Sequence, residues 1–228
     1  MRILEFYLDT ANVDEVAFAA KYGFLDGITT NPSIISKEND TFENVIRRID
    51  SQIRGKVWIQ VTEKTADSMY QQGLEINKWA KQAVVKLPMN EEGLEAAYRL
   101  SEDNIKVNMT LIYTLAQVLL AAKVNVDYIS PYIGRMDDNA VNGQEFISNA
   151  KNIISALGAK TKIIGASIRS TQVVVDLSIH QYDAVTMPFH IFRKMFQSSL
   201  TDEGLIQFNH DWECFSSKEL LDSSQNFE

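Results

Sequence analysis

Eight short, apolar, β-branched runs recur along the chain, with longer stretches of helical spacing between them, and this alternation restricts the fold more than any other feature. The runs are residues 3–8, 25–29, 57–61, 83–87, 107–111, 128–132, 163–166 and 184–187. Amphipathic stretches such as 13–22, 66–80, 91–100, 115–123 and 144–157 separate them. The runs are mostly continuous rather than alternating, as strands are when both faces are buried. Alternating β and α elements imply a parallel sheet with right-handed crossovers, and eight is the number that closes a barrel. The alternative is an open doubly wound sheet, which carries a glycine-rich turn after its first strand. Here that turn is Asp9-Thr10-Ala11-Asn12, with no such glycines. The expected fold is therefore an α/β (β/α)₈ barrel. With 228 residues the loops must be short. Residues 1–200 are expected to form the barrel. Residues 201–228 are expected to add a C-terminal helix and tail to the same domain, available for contact between subunits. In that tail, 201–212 reads as a helix with Thr201 as N-cap, and 216–228 reads as polar and frayed.

Several function classes fit the residues poorly. A net charge of -8 argues against a nucleic-acid surface, which needs a basic face, although a few arginines can still grip a small phosphate. One cysteine, Cys214, permits neither an intrachain disulfide nor a thiolate zinc site. His180, His190 and His210 lack the spacing of a helical metal motif and read as structural or surface residues. The opening MRILEFYLDT has no apolar leader, and no stretch reaches membrane-span length, so the expectation is a cytoplasmic protein without membrane partners.

In a barrel the reacting groups sit at the C-terminal ends of strands and on the loops that follow. Those positions hold Asp9, Thr29, Asn31, Gln60, Lys86, Asn108, Thr110, Ser130, Tyr132, Arg135, Ser167 and Arg169. Lys86 stands in Ala83-Val84-Val85-Lys86-Leu87-Pro88. A buried amine has a lowered pKa, and the neutral amine is the form that attacks a carbonyl. The same lysine could instead point to solvent or pair with Asp9. Asp9 could cap the following helix, a task that Thr10 or Asn12 could also take. Arg135 and Arg169, with Ser167 near them, suit a phosphate grip, though each could be an ordinary surface charge.

The stretches LDTANVDEV, DGITTNPSIISKE, VVKLPMNEEGLEA, VNMTLIYTLAQVLLAAK, YISPYIGRMDD, GASIRS and LTDEGLIQFNHDW resemble, in order and spacing, the transaldolase family and its small fructose-6-phosphate aldolase branch. The resemblance runs from Phe6 to Trp212 and implies a (β/α)₈ barrel with no metal and no organic cofactor. It implies that Lys86 is the Schiff-base lysine and that Asp9 is an acid/base. By the same resemblance Asn31, Asn108 and Thr110 hold substrate hydroxyls or a catalytic water. Arg135, Ser167 and Arg169 hold phosphate, and Thr29 and Ser130 belong with the substrate-binding residues. The partner is a sugar phosphate. Homo-oligomers, as pentamers or decamers, are common among the related small enzymes.

Two positions divide the family. Gln60 and Tyr132 resemble fructose-6-phosphate aldolase, in which glutamine, threonine and tyrosine hold a proton-transfer water and the phenol is the acid/base. Asn108, Ser130 and Arg169 resemble transaldolase. Weighting the catalytic pair over the binding positions favours an aldolase that cleaves fructose 6-phosphate to dihydroxyacetone and glyceraldehyde 3-phosphate. The alternative is a transaldolase of the pentose phosphate pathway. A catalytically silent barrel that binds a sugar phosphate or a protein, and a phosphosugar isomerase, are the rivals from other classes, and neither needs a Schiff-base lysine.

Overall fold

The regular structure begins with β1 (Glu5–Asp9), α1 (Val13–Ala20), β2 (Gly27–Thr29), α2 (Pro32–Ile35), α3 (Phe42–Gln52) and β3 (Lys56–Gln60). It continues with α4 (Ala66–Ile76), β4 (Ala83–Pro88), α5 (Glu91–Glu102), β5 (Val107–Ile112), α6 (Leu115–Lys123) and β6 (Tyr128–Pro131). The remainder is α7 (Ile133–Asp138), α8 (Gly143–Ala156), β7 (Lys162–Gly165), α9 (Thr171–Ile179), β8 (Ala184–Pro188), α10 (Phe189–Lys194) and α11 (Ser199–Gln225). The structure is a computed structural model that describes residues 4–180 and 182–225. All eight strands pair in parallel, in chain order, and β8 closes on β1. This is the (β/α)₈ barrel that the alternation predicts, and the open sheet is excluded. Each expected run overlaps a strand. Ile3, the first residue of the first run, lies outside the described residues.

Side chains one residue apart on a strand point to opposite faces. Leu8, Ile28, Ile59, Val85, Leu87 and Met109 therefore join the helices in the outer core. The alternate positions face the barrel interior. There Tyr7, Trp58, Val84, Tyr128, Ile164 and Ala184 form a separate apolar layer. Two residues further along the same strands stand Asp9, Gln60, Lys86, Ser130 and Thr186. The interior is thus apolar below and polar at the C-terminal end.

Glu5 lies at the lower end of this interior, with Lys56 Nζ at 2.9 Å and Lys162 Nζ at 2.6 Å from its carboxylate, and the Tyr7 hydroxyl also donates to it. Burial alone raises the carboxyl's pKa, but the hydrogen bonds from Lys162, Tyr7 and Lys56 outweigh it and bring Glu5 down to about 2. A carboxyl with a depressed folded pKa contributes stability above its unfolded value, and that contribution is lost as pH falls through the folded value. Glu5→Gln should therefore cost about 1–2 kcal/mol at pH 7, after discounting for partial solvent screening. The difference between variant and wild type should shrink from about pH 4.5 towards pH 2, as read from urea midpoints across that range. A constant difference would remove Glu5 from the acid response.

The C-terminal segment departs from its expected form. The chain divides into one compact unit that ends at Phe192 and a second that begins at Arg193. In the second, Thr201 is not the N-cap of α11. Its own N–H donates to Ser198 Oγ at 3.3 Å, so the cap is three residues earlier. Nor is 216–225 a frayed tail, since the helix runs on to Gln225; the last three residues of the expected tail lie outside the described residues. No proline or glycine follows Gly204 to stop it, and Glu219, Leu220 and Leu221 are good helix formers.

Candidate active site

The first question at the strand ends is what holds Asp9. It does not cap α1, because Asn12 takes that task, its side-chain oxygen accepting from the N–H groups of Asp14 and Glu15 at 2.9 and 3.2 Å. Asp9 instead accepts from Thr29 Oγ1 at 2.7 Å and from the Asn31 amide. Enclosure by protein raises its carboxyl above the usual range, against the opposing influence of Lys86, Thr29 and Asn31. Asn31 has a second duty, since its Oδ1 accepts from Ile34 N–H and caps α2.

Lys86 is not a surface lysine. It is 5% exposed, and its Nζ donates to the Thr30 carbonyl at 2.7 Å. Burial lowers its pKa, with Asp9 opposing. A buried amine and a half-buried acid that influence each other form an arrangement that can support nucleophilic attack and proton transfer. Next to Lys86 in register are Gln60 on β3 and Asn108 on β5. The Gln60 amide donates to the Val61 and Lys86 carbonyls at 3.3 and 3.2 Å, which fixes its NH₂ group on the backbone. Asn108 Oδ1 accepts from Ser130 Oγ at 3.0 Å, while Asn108 Nδ2 is buried with no protein partner.

Tyr132 follows β6, and its burial raises the phenol's pKa, with Thr110 and Arg135 acting the other way and Asp9 and Tyr113 reinforcing the rise. Thr110 Oγ1 donates to its hydroxyl at 3.5 Å, the outer limit of a hydrogen bond. After Thr110 the β5–β6 register shifts, and Leu111 takes φ 61°, a costly conformation for a residue with a side chain. Ser167 shares that conformation at φ 61°. A Cβ on Gly134 would stand 2.0 Å from the Ser167 carbonyl oxygen and 2.8 Å from Arg169 Cγ. Only glycine permits the approach that brings Arg135 and Arg169 to one rim. Arg169 Nη2 pairs with Asp138 at 3.1 Å.

The strand ends surround a cavity of about 770 Å³. Of the residues singled out from the sequence, Asp9, Thr29, Asn31, Gln60, Lys86, Thr110, Ser130, Tyr132, Arg135, Ser167 and Arg169 line it. Asn108 does not line it and stands behind Ser130. Thr186 was missed. Its hydroxyl is 2.6 Å from Thr29 Oγ1, and its signal was a polar residue inside the apolar run 184–187. Also missed was the Thr30 carbonyl, a backbone group that carries no signal in the sequence. Among the described residues, no group of three His, Cys, Asp or Glu side chains could hold a metal ion, and no helix is long and apolar enough to cross a membrane.

Comparison with solved structures bears on the barrel. Thiamine phosphate pyrophosphorylase from Pyrococcus furiosus superposes with a TM-score of 0.58 at 15% identity, over 81% of this chain and 85% of that one. Orotidine 5'-monophosphate decarboxylase from Methanocaldococcus jannaschii gives 0.57 at 16% identity, over 87% and 92%. At such identities the likeness is one of fold alone. Sequence comparison reaches further. A protein of Lactiplantibacillus plantarum named probable transaldolase is 42% identical over 93% of this chain and 98% of its own length. Another from Listeria monocytogenes, named probable transaldolase 2, is 43% identical over 95% and 99%. The family model described as Transaldolase/Fructose-6-phosphate aldolase matches residues 6–228. The chain belongs to the transaldolase/fructose-6-phosphate aldolase family.

Proposed function

We propose that the protein is a Schiff-base transaldolase that moves a dihydroxyacetone unit from a ketose phosphate, such as fructose 6-phosphate, to an aldose phosphate, such as erythrose 4-phosphate. The observation that carries this reading is the buried Asn108–Ser130 pair beside Lys86, in which Ser130 faces the cavity and Asn108 holds it from behind. Ser130 is the member of the pair that can meet a hydroxyl of a three-carbon unit bound to Lys86, which favours keeping the unit until an acceptor arrives. The names of the relatives agree with transfer. Weight thus shifts away from the aldolase that Gln60 and Tyr132 favour in the sequence. Aldolase stays as the second reading, because both residues line the cavity with Thr110.

The neutral Lys86 amine attacks the C2 ketone, and loss of water gives an iminium. Asp9, held by Thr29 and Asn31, takes the C4 hydroxyl proton directly or through one water. The C3–C4 bond breaks, its electron pair forms an enamine on Lys86, and the aldehyde phosphate leaves. The enamine carbon then attacks the carbonyl of the acceptor, whose oxygen takes up the proton. Water hydrolyses the new iminium and frees Lys86 and the product ketose. Incubation with fructose 6-phosphate, without and with erythrose 4-phosphate, tests the reading. Sedoheptulose 7-phosphate formed with acceptor, and little dihydroxyacetone released without it, support transfer. Rapid release without acceptor supports aldolase.

The phosphate end of the cavity is assigned to Arg135, Ser167 and Arg169. Loss of one charged hydrogen bond to phosphate costs about 1.5–3 kcal/mol, or roughly 10- to 100-fold in kcat/KM. Arg135→Ala should impose that loss on glyceraldehyde 3-phosphate and spare glyceraldehyde. Equal losses for both aldehydes would make Arg135 structural. The proposal extends to assembly. Leu205, Phe208 and Trp212 on α11 are 53%, 71% and 67% exposed and are the surface through which copies would meet in a pentamer or decamer. Sedimentation of the intact chain as a monomer would reject this.

A further inference from the structure

Tyr113 does not line the cavity, yet it touches two residues that do. Its hydroxyl accepts a 3.2 Å hydrogen bond from Arg135 Nη1. Its ring meets that of Tyr132 edge-on, with centroids 5.9 Å apart and planes at 66°. The Arg135 guanidinium lies over the Tyr132 ring, 5.1 Å from its centroid. The three side chains close a triangle. One corner is the cation assigned to phosphate, another is the phenol of the catalytic set, and the third has no direct chemistry. The backbone holds this third corner in place. The bulge at Leu111 redirects the chain after β5. The N–H groups of Tyr113 and Thr114 then both donate to Gln117 Oε1, at 2.8 and 3.1 Å, at the entry to α6.

We propose that Tyr113 is a positioning residue that parks Arg135 on the face of Tyr132, so that a phosphate dianion arriving at Arg135 is sensed by the phenol. The proposal rests on the Schiff-base transfer reading above. With the phosphate end empty, a cation on the ring eases loss of the phenolic proton, and Arg135 indeed acts against the burial that raises this phenol's pKa. A bound phosphate takes up the guanidinium charge and adds negative charge nearby, and both effects make the phenol hold its proton more tightly. Proton exchange with the enamine then slows in both directions. When the enamine is protonated, the phenolic O–H bond breaks and the enamine π pair forms a C–H bond. The nitrogen becomes an iminium, and solvent reprotonates the phenolate. A seated aldehyde phosphate therefore shields the enamine from protonation while carbon–carbon bond formation proceeds. Phosphate selects the acceptor twice, by binding and by partition.

Dihydroxyacetone carries no phosphate, so it loads Lys86 without engaging Arg135. Its carbon-bound hydrogens exchange into D₂O through iminium and enamine, which proton NMR reads directly. Inorganic phosphite serves as an unreactive probe of the phosphate end. Saturating phosphite should slow exchange in the wild type by about three- to tenfold. Tyr113→Phe keeps the ring and removes only the hydroxyl, and most of that response should disappear. An unchanged or faster wild-type exchange with phosphite overturns the proposal, as does equal slowing in both proteins. Borohydride reduction in the presence of dihydroxyacetone separates the two layers. A Lys86 adduct with no phosphite effect rejects the Tyr113 coupling alone, whereas no adduct and no exchange reject the Schiff-base reading as well.

Discussion

Lys86→Met should abolish the borohydride-trapped adduct and lower turnover on the order of 10⁵-fold or more, the scale of removing a covalent nucleophile. With fructose 6-phosphate or dihydroxyacetone and borohydride, the wild-type peptide containing Lys86 should gain a reduced six- or three-carbon adduct, read by mass spectrometry. Because burial lowers the Lys86 pKa, trapping should persist well below the ordinary value of 10.5. The fold should survive. Methionine fills a similar volume, and the change removes an amine held 5% exposed among apolar strands. Its cost is the Thr30 carbonyl, which loses its partner, a matter of about 1–3 kcal/mol that a urea midpoint will register. Asp9 also loses the neighbour that restrains its pKa, so its carboxyl should rise further in the variant. A label confined to another lysine, or full activity in the variant, would remove Lys86 from the chemistry. An isomerase using this cavity without a Schiff base would give the second result.

Tyr132→Phe should shift the fate of the enamine. Loss of a positioned acid/base typically costs about 10²–10⁴ in rate. Release of dihydroxyacetone should fall by that order, and transfer to erythrose 4-phosphate should fall less. The physical basis is that the phenol is half-buried, holds its proton above the usual range, and takes only a long 3.5 Å hydrogen bond from Thr110, which leaves its O–H free to donate to substrate or water. Gln60→Glu in the same protein should strengthen transfer, because a carboxylate exchanges protons where an amide can only orient water. Release and transfer measured in parallel for the wild type, both single variants and the double variant check this. A release-to-transfer ratio unchanged by Tyr132→Phe means the phenol does not decide the outcome, and the chief argument for the aldolase reading goes with it.

By itself the sequence determined the barrel, the strand that carries Lys86 and the family. These are legible because they rest on local signals: a strand–helix period repeated along the chain, a lysine at the end of an apolar run, and motifs in a set order. Even so, Asp9 as a helix cap and Asp9 as an acid were indistinguishable until Asn12 was seen to cap α1. Local signals also stopped the last helix too early, because a polar stretch without breakers reads as a tail when it can equally extend a helix. Only the tertiary structure decided which groups meet. Closure of β8 onto β1 pairs Tyr7 with Thr186 in register and sets Thr186 against Thr29, residues that nothing in the chain connects. It provides the Thr30 carbonyl as the partner of Lys86 and leaves Asn108 with a free donor behind Ser130. It also makes Tyr113, one of several tyrosines in the sequence, the residue that joins the phosphate end to the phenol. The physical reason is that hydrogen bonds and desolvation act over a few ångströms in space, and barrel closure creates those distances between strand ends far apart in the chain.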